Sequence, residues 1–297
     1  MNNHLINEIT SFLAPRFEEK FNIPLQIKSA TLLGGGCISN ACKLITNNGI
    51  FFLKWNSNAP GDLFIREAEA LKEFKKSQNE FIIFPKPILF NPENAKTGYL
   101  MTDFLEQGKT GNDDEKLGRG LAMLHKVSSD KFGFVHDNYC GATTQNNSRQ
   151  KNWITFYTEN RISYLINLIR KKRSWSYPDD QIADTFLSNA ENMLQHNPVP
   201  SLIHGDLWSG NYMYTVNGPA LIDPAACYCD REFEMGIMTM FGGFSNQVYD
   251  AYNEIYPLSH DWKERNMIYQ LYHVLNHYYL FGGYYKTQAL EIMRHYC

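Results

Sequence analysis

Leu202-Ile203-His204-Gly205-Asp206-Leu207-Trp208-Ser209-Gly210-Asn211, followed by Leu221-Ile222-Asp223-Pro224-Ala225, is the stretch from which the rest of the chain can be read. It puts two carboxylates and one carboxamide on loops that leave apolar strand ends. Asp206 and Asn211 stand in the spacing D-x-x-x-x-N. An aspartate there can accept a proton from a hydroxyl, and the carboxamide can hold a divalent cation through its oxygen. A second acidic group must return to the same place if that cation is to be shared with a phosphate. Residues 211–215 and 220–222 read as two short strands around Val216-Asn217-Gly218-Pro219, and this hairpin delivers Asp223. A tight turn with a capping Asp is the plainer account of an isolated H-x-D. Three elements in the right order argue against it here.

Toward the N-terminus, Leu32-Leu33-Gly34-Gly35-Gly36-Cys37-Ile38-Ser39-Asn40 follows a predicted strand. Glycines there let backbone N–H groups approach a phosphate, a weak signal by itself. Residues 41–46 and 50–55 read as a hairpin about Asn48-Gly49. Strand alternation puts Ile50, Phe52 and Lys54 on one face, and a buried ammonium needs an anionic partner. Residues 62–76 read as a helix with Leu63, Phe64, Ala68 and Leu71 as its apolar stripe. Glu67 falls inside that stripe, whereas Glu69 and Glu73 fall on the opposite side. Pairing Lys54 with Glu67 resolves both anomalies; the plainer alternative is a solvated pair.

The D-x-x-x-x-N spacing is also that of a kinase catalytic loop, and a strand Lys paired with a helix Glu is a kinase arrangement. HGDLWSGN, IDPA, CDREFEMGIMTMFGGF and LYHVLNHYYLFGG then make the chain resemble the fructosamine (ketosamine) kinase family over essentially its whole length. That family belongs to the aminoglycoside-phosphotransferase-like branch of the protein-kinase-like fold. The resemblance implies a bilobal α+β architecture, with an antiparallel sheet and helix in residues 1–105 and a mostly helical lobe in 106–297.

It implies ATP and Mg2+ as cofactors, and transfer of the γ-phosphoryl to the 3-hydroxyl of a ketosamine, free or on a glycated amine. Asp206 becomes the general base, Asn211 and Asp223 the magnesium ligands, and Lys54, held by Glu67, the phosphate clamp. Gly34, Gly35, Gly36 and Ser39 cover the phosphates, although Ser39 stands where a protein kinase has its last glycine. The backbone of Asp103-Phe104-Leu105, where a strand over 99–102 gives way to an irregular segment, meets adenine. The acceptor falls to Trp208, Asn138 and His204. Trp208 either stacks on a sugar face or fills the core. Cys37, at the tip of the glycine loop, is the redox candidate through its oxidation or a Cys37–Cys37 bridge between two copies; the alternative is a small residue filling a turn.

The second lobe reads as helices over 113–127, 153–170, 184–196, 231–241 and 261–281. His125 lies near the buried face of the first, as a core histidine bonding the catalytic loop. Phe132-Gly133-Phe134 and Asn138-Tyr139-Cys140-Gly141 suit a sugar-binding wall or a structural loop equally. Lys171-Lys172-Arg173 is a solvated helix end. His273 and His277 have the spacing of a helical metal pair, but no acidic third ligand is near in sequence, so packing is the expectation.

At 297 residues, 20% charged and with net charge −3, the chain has no basic footprint for nucleic acid. It has no long apolar run and does not open like a signal peptide, so a membrane role is not expected. Six scattered cysteines form no zinc pairs and no secreted disulfide framework. A cytoplasmic enzyme is expected, as a monomer or a redox-linked homodimer. A kinase for an aminoglycoside, choline or another small alcohol is one rival; a nucleotide-binding, redox-responsive regulator without turnover is the other.

Overall fold

A computed structural model describes residues 2–34, 39–93 and 95–297. Gly35, Gly36 and Cys37, on which the expected phosphate loop and its redox response depend, lie outside the described residues. The chain divides into two units: one runs up to Lys75 and resumes over Phe84–Gly108, and the other comprises Lys76–Ile83 and Lys109–Cys297.

The first unit contains α1 (Asn2–Phe21), β1 (Ile27–Leu32), β2 (Asn40–Thr46), β3 (Gly49–Asn56), α2 (Leu63–Glu73), β4 (Pro87–Phe90) and β5 (Gly98–Asp103). Its strands form one antiparallel sheet in the order β1-β2-β3-β5-β4. Asn48-Gly49 turns β2 into β3, with Gly49 at φ 128°. The Thr46 hydroxyl closes the turn by donating to Gly49 O at 2.9 Å. The period of two sorts side chains between the faces. Cys42, Leu44, Leu53, Trp55, Tyr99 and Met101 pack with Ile9, Leu13 and Phe17 of α1. Burying each large apolar side chain contributes roughly 1.5–3 kcal/mol. Lys54 therefore points the other way, level with Leu100 of β5. Phe64, Ala68 and Leu71 of α2 are buried, and the Lys54 ammonium lies 5.9 Å from the Phe64 ring centre.

The second unit contains α3 (Asp113–His125), β6 (Asn138–Cys140), β7 (Thr143–Gln145), one turn α4 (Trp153–Thr155), α5 (Tyr164–Lys172), α6 (Tyr177–Met193), β8 (Ser201–Ile203), β9 (Tyr212–Thr215), β10 (Gly218–Leu221), β11 (Cys227–Cys229), α7 (Arg231–Met238), α8 (Asn246–Ile255), α9 (Trp262–Phe281) and α10 (Tyr285–His295). Its strands pair as three short ribbons, β6 with β7, β8 with β11, and β9 with β10. Ile83 adds to the last ribbon through a parallel bridge with Ala220. Ile83 N donates to Pro219 O at 2.9 Å, and Leu221 N donates to Ile83 O at 3.0 Å. Trp153, Phe156, Tyr157, Phe233 and Tyr269 interlock in the core, tied by a Trp153 Nε1 bond to the Tyr269 hydroxyl at 2.9 Å.

Two local readings need correction, and one bridge is added. The helix expected over 153–170 is interrupted: Phe156–Ser163 is π-helical. That widened turn contains Arg161, which is fully buried and donates to Asn146 O and Asn147 Oδ1 at 2.6 and 2.8 Å. The helix expected from 184 starts at Tyr177, because Ser176 and Asp179 form a capping box with proline in the first turn. Cys227 and Cys229, two apart on one face of β11, are joined by a disulfide with Cα atoms 5.8 Å apart, a local bridge within one strand. Among the described residues no helix is long and apolar enough to cross a membrane.

Candidate active site

β8 carries the catalytic stretch out of the second unit's core, and β11 pairs with it antiparallel, Ile203 opposite Cys227. The loops leaving this ribbon run against each other. A Cβ on Gly205 would come within 2.1 Å of Ala225 O, and Gly205 sits at φ +84°. Glycine is required on both counts. Ala225 N donates to His204 O at 2.9 Å, closing the crossing.

Glu234 of α7 holds the catalytic loop from below. It is fully buried, and its carboxylate accepts His204 N at 2.5 Å, Gly205 N at 3.1 and 3.2 Å, and Leu207 N at 3.4 Å. Backbone donors gathered on one carboxylate replace the water that a buried anion loses. Burial alone would raise this carboxyl; His125 and His204 beside it, with the backbone donors, bring it below its ordinary value. His125 Nε2 stands 3.7 Å from Glu234 Oε2, and His125 Nδ1 bonds the Tyr252 hydroxyl at 2.9 Å. The expected core histidine thus reaches the loop through Glu234. Sequence reasoning missed Glu234. Its signal was an acidic residue between Phe233 and Met235 on a helix too apolar to leave it in water.

Asp206 and Asn211 come together as their spacing requires. Asn211 Nδ2 donates to Asp206 O at 2.8 Å and to Asp206 Oδ2 at 3.1 Å. With the nitrogen so engaged, the Asn211 oxygen is the atom that can meet a cation. Burial raises the Asp206 carboxyl to about 8, and the charges of Glu234 and Asp223 add to the rise. Asp223 is exposed and takes φ +56°, the left-handed conformation that aspartate tolerates better than most residues. Strain of this kind clusters at functional positions.

Two of the three expected acceptor contacts are corrected. His204 is fully buried. Its Nε2 donates to Ile222 O at 2.8 Å, and its Nδ1 accepts Asp206 N at 3.4 Å, so both ring nitrogens tie the catalytic loop to the residue before Asp223. Burial lowers its pKa, consistent with this neutral form. Asn138 is buried as well. It donates to Ala226 O at 2.7 Å and accepts from Gln145 and Asn147 at 2.9 and 2.8 Å. Both residues brace loops. Trp208 does the opposite of a core tryptophan, being 41% exposed. Its indole lies over Gly210, where a Cβ would meet the ring at 2.3 Å.

In the first unit, Lys54 Nζ and Glu67 Oε1 pair at 2.5 Å with side chains only 10% and 13% exposed. β5 ends at Asp103, whose carboxylate accepts Lys86 N at 2.6 Å. Phe104, half-buried, lies under the Lys43 ammonium at 4.4 Å, and half-buried Leu105 follows. Among the described residues nothing lies within 4 Å of a Cβ built on Gly34, and half-buried Ser39 directly precedes β2.

A five-stranded sheet with a Lys–Glu pair, joined in one chain to a helical unit carrying a D-x-x-x-x-N loop, defines a phosphotransferase of the protein-kinase-like fold that acts on a hydroxyl group. Comparison with known proteins narrows the class. The fructosamine kinase family model matches residues 9–297, and the chain belongs to that family. A probable ketoamine kinase of Synechocystis is 34% identical over 287 residues, 95% of each chain. A chloroplastic protein-ribulosamine 3-kinase of Arabidopsis thaliana is 35% identical over 278 residues, 91% of this chain and 83% of that one. The crystal structure of a putative fructosamine-3-kinase from Haemophilus somnus superposes with a TM-score of 0.85 at 25% identity, covering 98% of this chain and 99% of that one. An aminoglycoside phosphotransferase shares the fold alone, with a TM-score of 0.62 at 17% identity, covering 97% of this chain and 98% of that one. These matches do not favour the rival readings as an aminoglycoside or choline kinase or as a regulator without turnover.

Proposed function

We propose that this protein is an ATP-dependent ketosamine 3-kinase in which Asp206 is the general base. The observation that carries the assignment is the Asp206–Asn211 pair, bonded at 3.1 Å on a loop gripped by Glu234. In the reaction the 3-hydroxyl oxygen of the ketosamine bonds to the γ-phosphorus of ATP. The bond from that phosphorus to the bridging oxygen breaks, and the hydroxyl proton passes to the Asp206 carboxylate. The products are ADP and the ketosamine 3-phosphate. Fixed by its bond to Asn211, the Asp206 carboxylate is placed to take that proton.

Asn211 Oδ1 and the Asp223 carboxylate are hard oxygen donors, which fit Mg2+. A bound Mg2+ supplies charge neutralisation at the phosphates. Lys54, fixed by Glu67, clamps those phosphates, and the backbone of Asp103, Phe104 and Leu105 takes the adenine. Gly34–Gly36 and Ser39 cover the nucleotide. The half-exposed Trp208 indole offers the ketosamine a flat apolar surface. The relatives' names as ketoamine kinase and ribulosamine 3-kinase support the acceptor and the position of transfer. A monomer or a redox-linked homodimer in the cytoplasm, where ATP is abundant, completes the reading.

The test is ATP consumption with ribulose-, erythrulose- and fructose-derived amines, choline and an aminoglycoside, with the phosphorylated carbon located by NMR. The proposal expects turnover confined to the ketosamines and phosphate at carbon 3. Equal turnover of choline, or phosphate at another carbon, would overturn it.

A further inference from the structure

Cys140 at the end of β6, Asp206 on the catalytic loop and His273 in α9 are far apart in sequence. In the fold, one ligand atom from each lies within 4.8 Å of the others. The sequence offered His273 only a helical partner, His277, and no acid; the acid and a thiol arrive from other elements. Cys140 and His273 are each 2% exposed, whereas Asp206 is half-buried, so the group opens on the carboxylate side. Among the described residues His273 Nε2 has no hydrogen-bond partner. Its ring is held by stacking on Phe233 at 5.5 Å and by the edge of Tyr272 at 5.1 Å. Cys140 Sγ accepts Asn276 Nδ2 at 3.3 Å, and Asp206 Oδ2 accepts Asn211 Nδ2 at 3.1 Å, so two of the three ligands are oriented by hydrogen bonds.

We infer that Cys140, Asp206 and His273 form a capture site for a soft divalent transition-metal ion of the zinc type, with the proposed base as one of its ligands. Thiolate, imidazole and carboxylate together select such an ion over magnesium, which prefers oxygen alone. Zinc bonds of about 2.0–2.3 Å require the three ligand atoms to draw in by roughly 1 Å, and three protein ligands leave the fourth tetrahedral position to water. A neutral imidazole has one ring lone pair to offer the metal. Burial keeps the Cys140 thiol protonated. On capture the metal–sulfur bond replaces the S–H bond, the Asp206 carboxyl gives up the proton it carries, and both protons leave to solvent, with no change of oxidation state. A metal bound to the Asp206 carboxylate withdraws the basicity that the acceptor's proton needs, so occupancy stops transfer. That consequence rests on the reading of Asp206 as base; the site itself does not.

The test uses full-length protein with Co2+ as the spectroscopic probe and Zn2+ as the inhibitor. The inference expects one Co2+ per chain, tetrahedral visible bands and a thiolate charge-transfer band. Both features should be lost in Cys140→Ser, and affinity should fall about 10–100-fold in His273→Gln. X-ray absorption of the zinc-loaded wild type should read one sulfur among otherwise nitrogen and oxygen neighbours, a measurement that needs no variant to fold. Zn2+ should inhibit reversibly, with chelator restoring activity and excess Mg·ATP failing to do so. A charge-transfer band that survives in Cys140→Ser, or a zinc shell without sulfur, would overturn the site. Specific binding without inhibition would uphold the site and overturn Asp206 as base.

Discussion

Glu234 Oε2 accepts the backbone N–H of His204 at 2.5 Å, and through that bond a helix buried in the second unit sets the position of the base two residues on. An isosteric amide cannot reproduce it. Gln at 234 would turn a donor toward backbone donors or lose the charge that holds them. Glu234→Gln is expected to lower kcat by about 10–100-fold and to cost roughly 1–3 kcal/mol of stability, the penalty for a buried polar group left unmatched. Urea unfolding beside steady-state kinetics checks both. An unchanged kcat would mean that the loop keeps its geometry without the anion.

Asp206→Asn should lower kcat by about 10²–10⁴, the usual contribution of a general base, with Mg·ATP affinity within a few-fold of wild type. The same change should raise the unfolding midpoint of the metal-free protein, because Asp206 is buried beside the negative charges of Glu234 and Asp223. Losing activity while gaining stability distinguishes a functional carboxylate from a structural one. A folded variant with full turnover would remove Asp206 from the mechanism.

Gly210→Ala tests Trp208 without touching the indole itself. The new Cβ would meet the ring at 2.3 Å, and the nearest atoms are its outer carbons, so the indole must swing aside. The expected outcome is a KM for ketosamine raised several-fold or more, a shifted tryptophan emission and little change in KM for ATP. If only thermal stability moves, the indole is not an acceptor surface.

Lys54 and Glu67 should behave as one unit. Each alanine variant is expected to cut kcat/KM for ATP severely, and the double variant should lose much less than the two losses combined, as groups in direct contact do. Additive losses in this cycle would show that the 2.5 Å pair does not position Lys54 for phosphate.

His125 gives the protein a pH dependence of definite sign. Burial is the largest influence on it and lowers its pKa, so the folded state keeps it neutral where the unfolded chain protonates. Between the ordinary value near ~6.5 and the lower folded value, the unfolded state binds more protons. Its stabilising contribution is therefore full above about pH 6.5 and lost as pH falls below it, at up to ~1.4 kcal/mol per pH unit. Unfolding midpoints from pH 7.5 to 5 should fall less steeply in His125→Gln than in wild type. Parallel slopes would place the acid sensitivity elsewhere, with His204 the next to test.

What was legible in the sequence is what depends on local pattern. The Asn48-Gly49 turn, the Lys54–Glu67 pair and the meeting of Asp206 with Asn211 follow from strand alternation, helical period and loop spacing. Glu234 was hidden because nothing near it in sequence announces that its partners are backbone amides of a loop some thirty residues earlier. His204 and Asn138 looked like acceptor contacts because polar residues beside a base invite that reading, and only their hydrogen bonds show them turned inward. The start of α6 was a readable signal left unread, since Ser176 and Asp179 have capping-box spacing. The π-helical turn at Phe156–Ser163 has no comparable local signature.

The bridge between Ile83 and Ala220 has a consequence for how the chain is made. The two partners are about 140 residues apart, and Lys76–Ile83 belongs to the second unit although part of the first unit is still to be synthesised when it emerges. At about 5–20 residues per second on the ribosome, Ile83 waits on the order of ten seconds for β10 to appear. During that interval α3, whose Gly120 packs against Ile82, has emerged, but the strand partner of Ile83 has not. Chaperone dependence in the cell, and slow or aggregation-prone refolding from a fully denatured chain, should therefore trace to this short segment. Changes that make 76–83 more polar before it docks should raise soluble yield even where they cost stability afterwards.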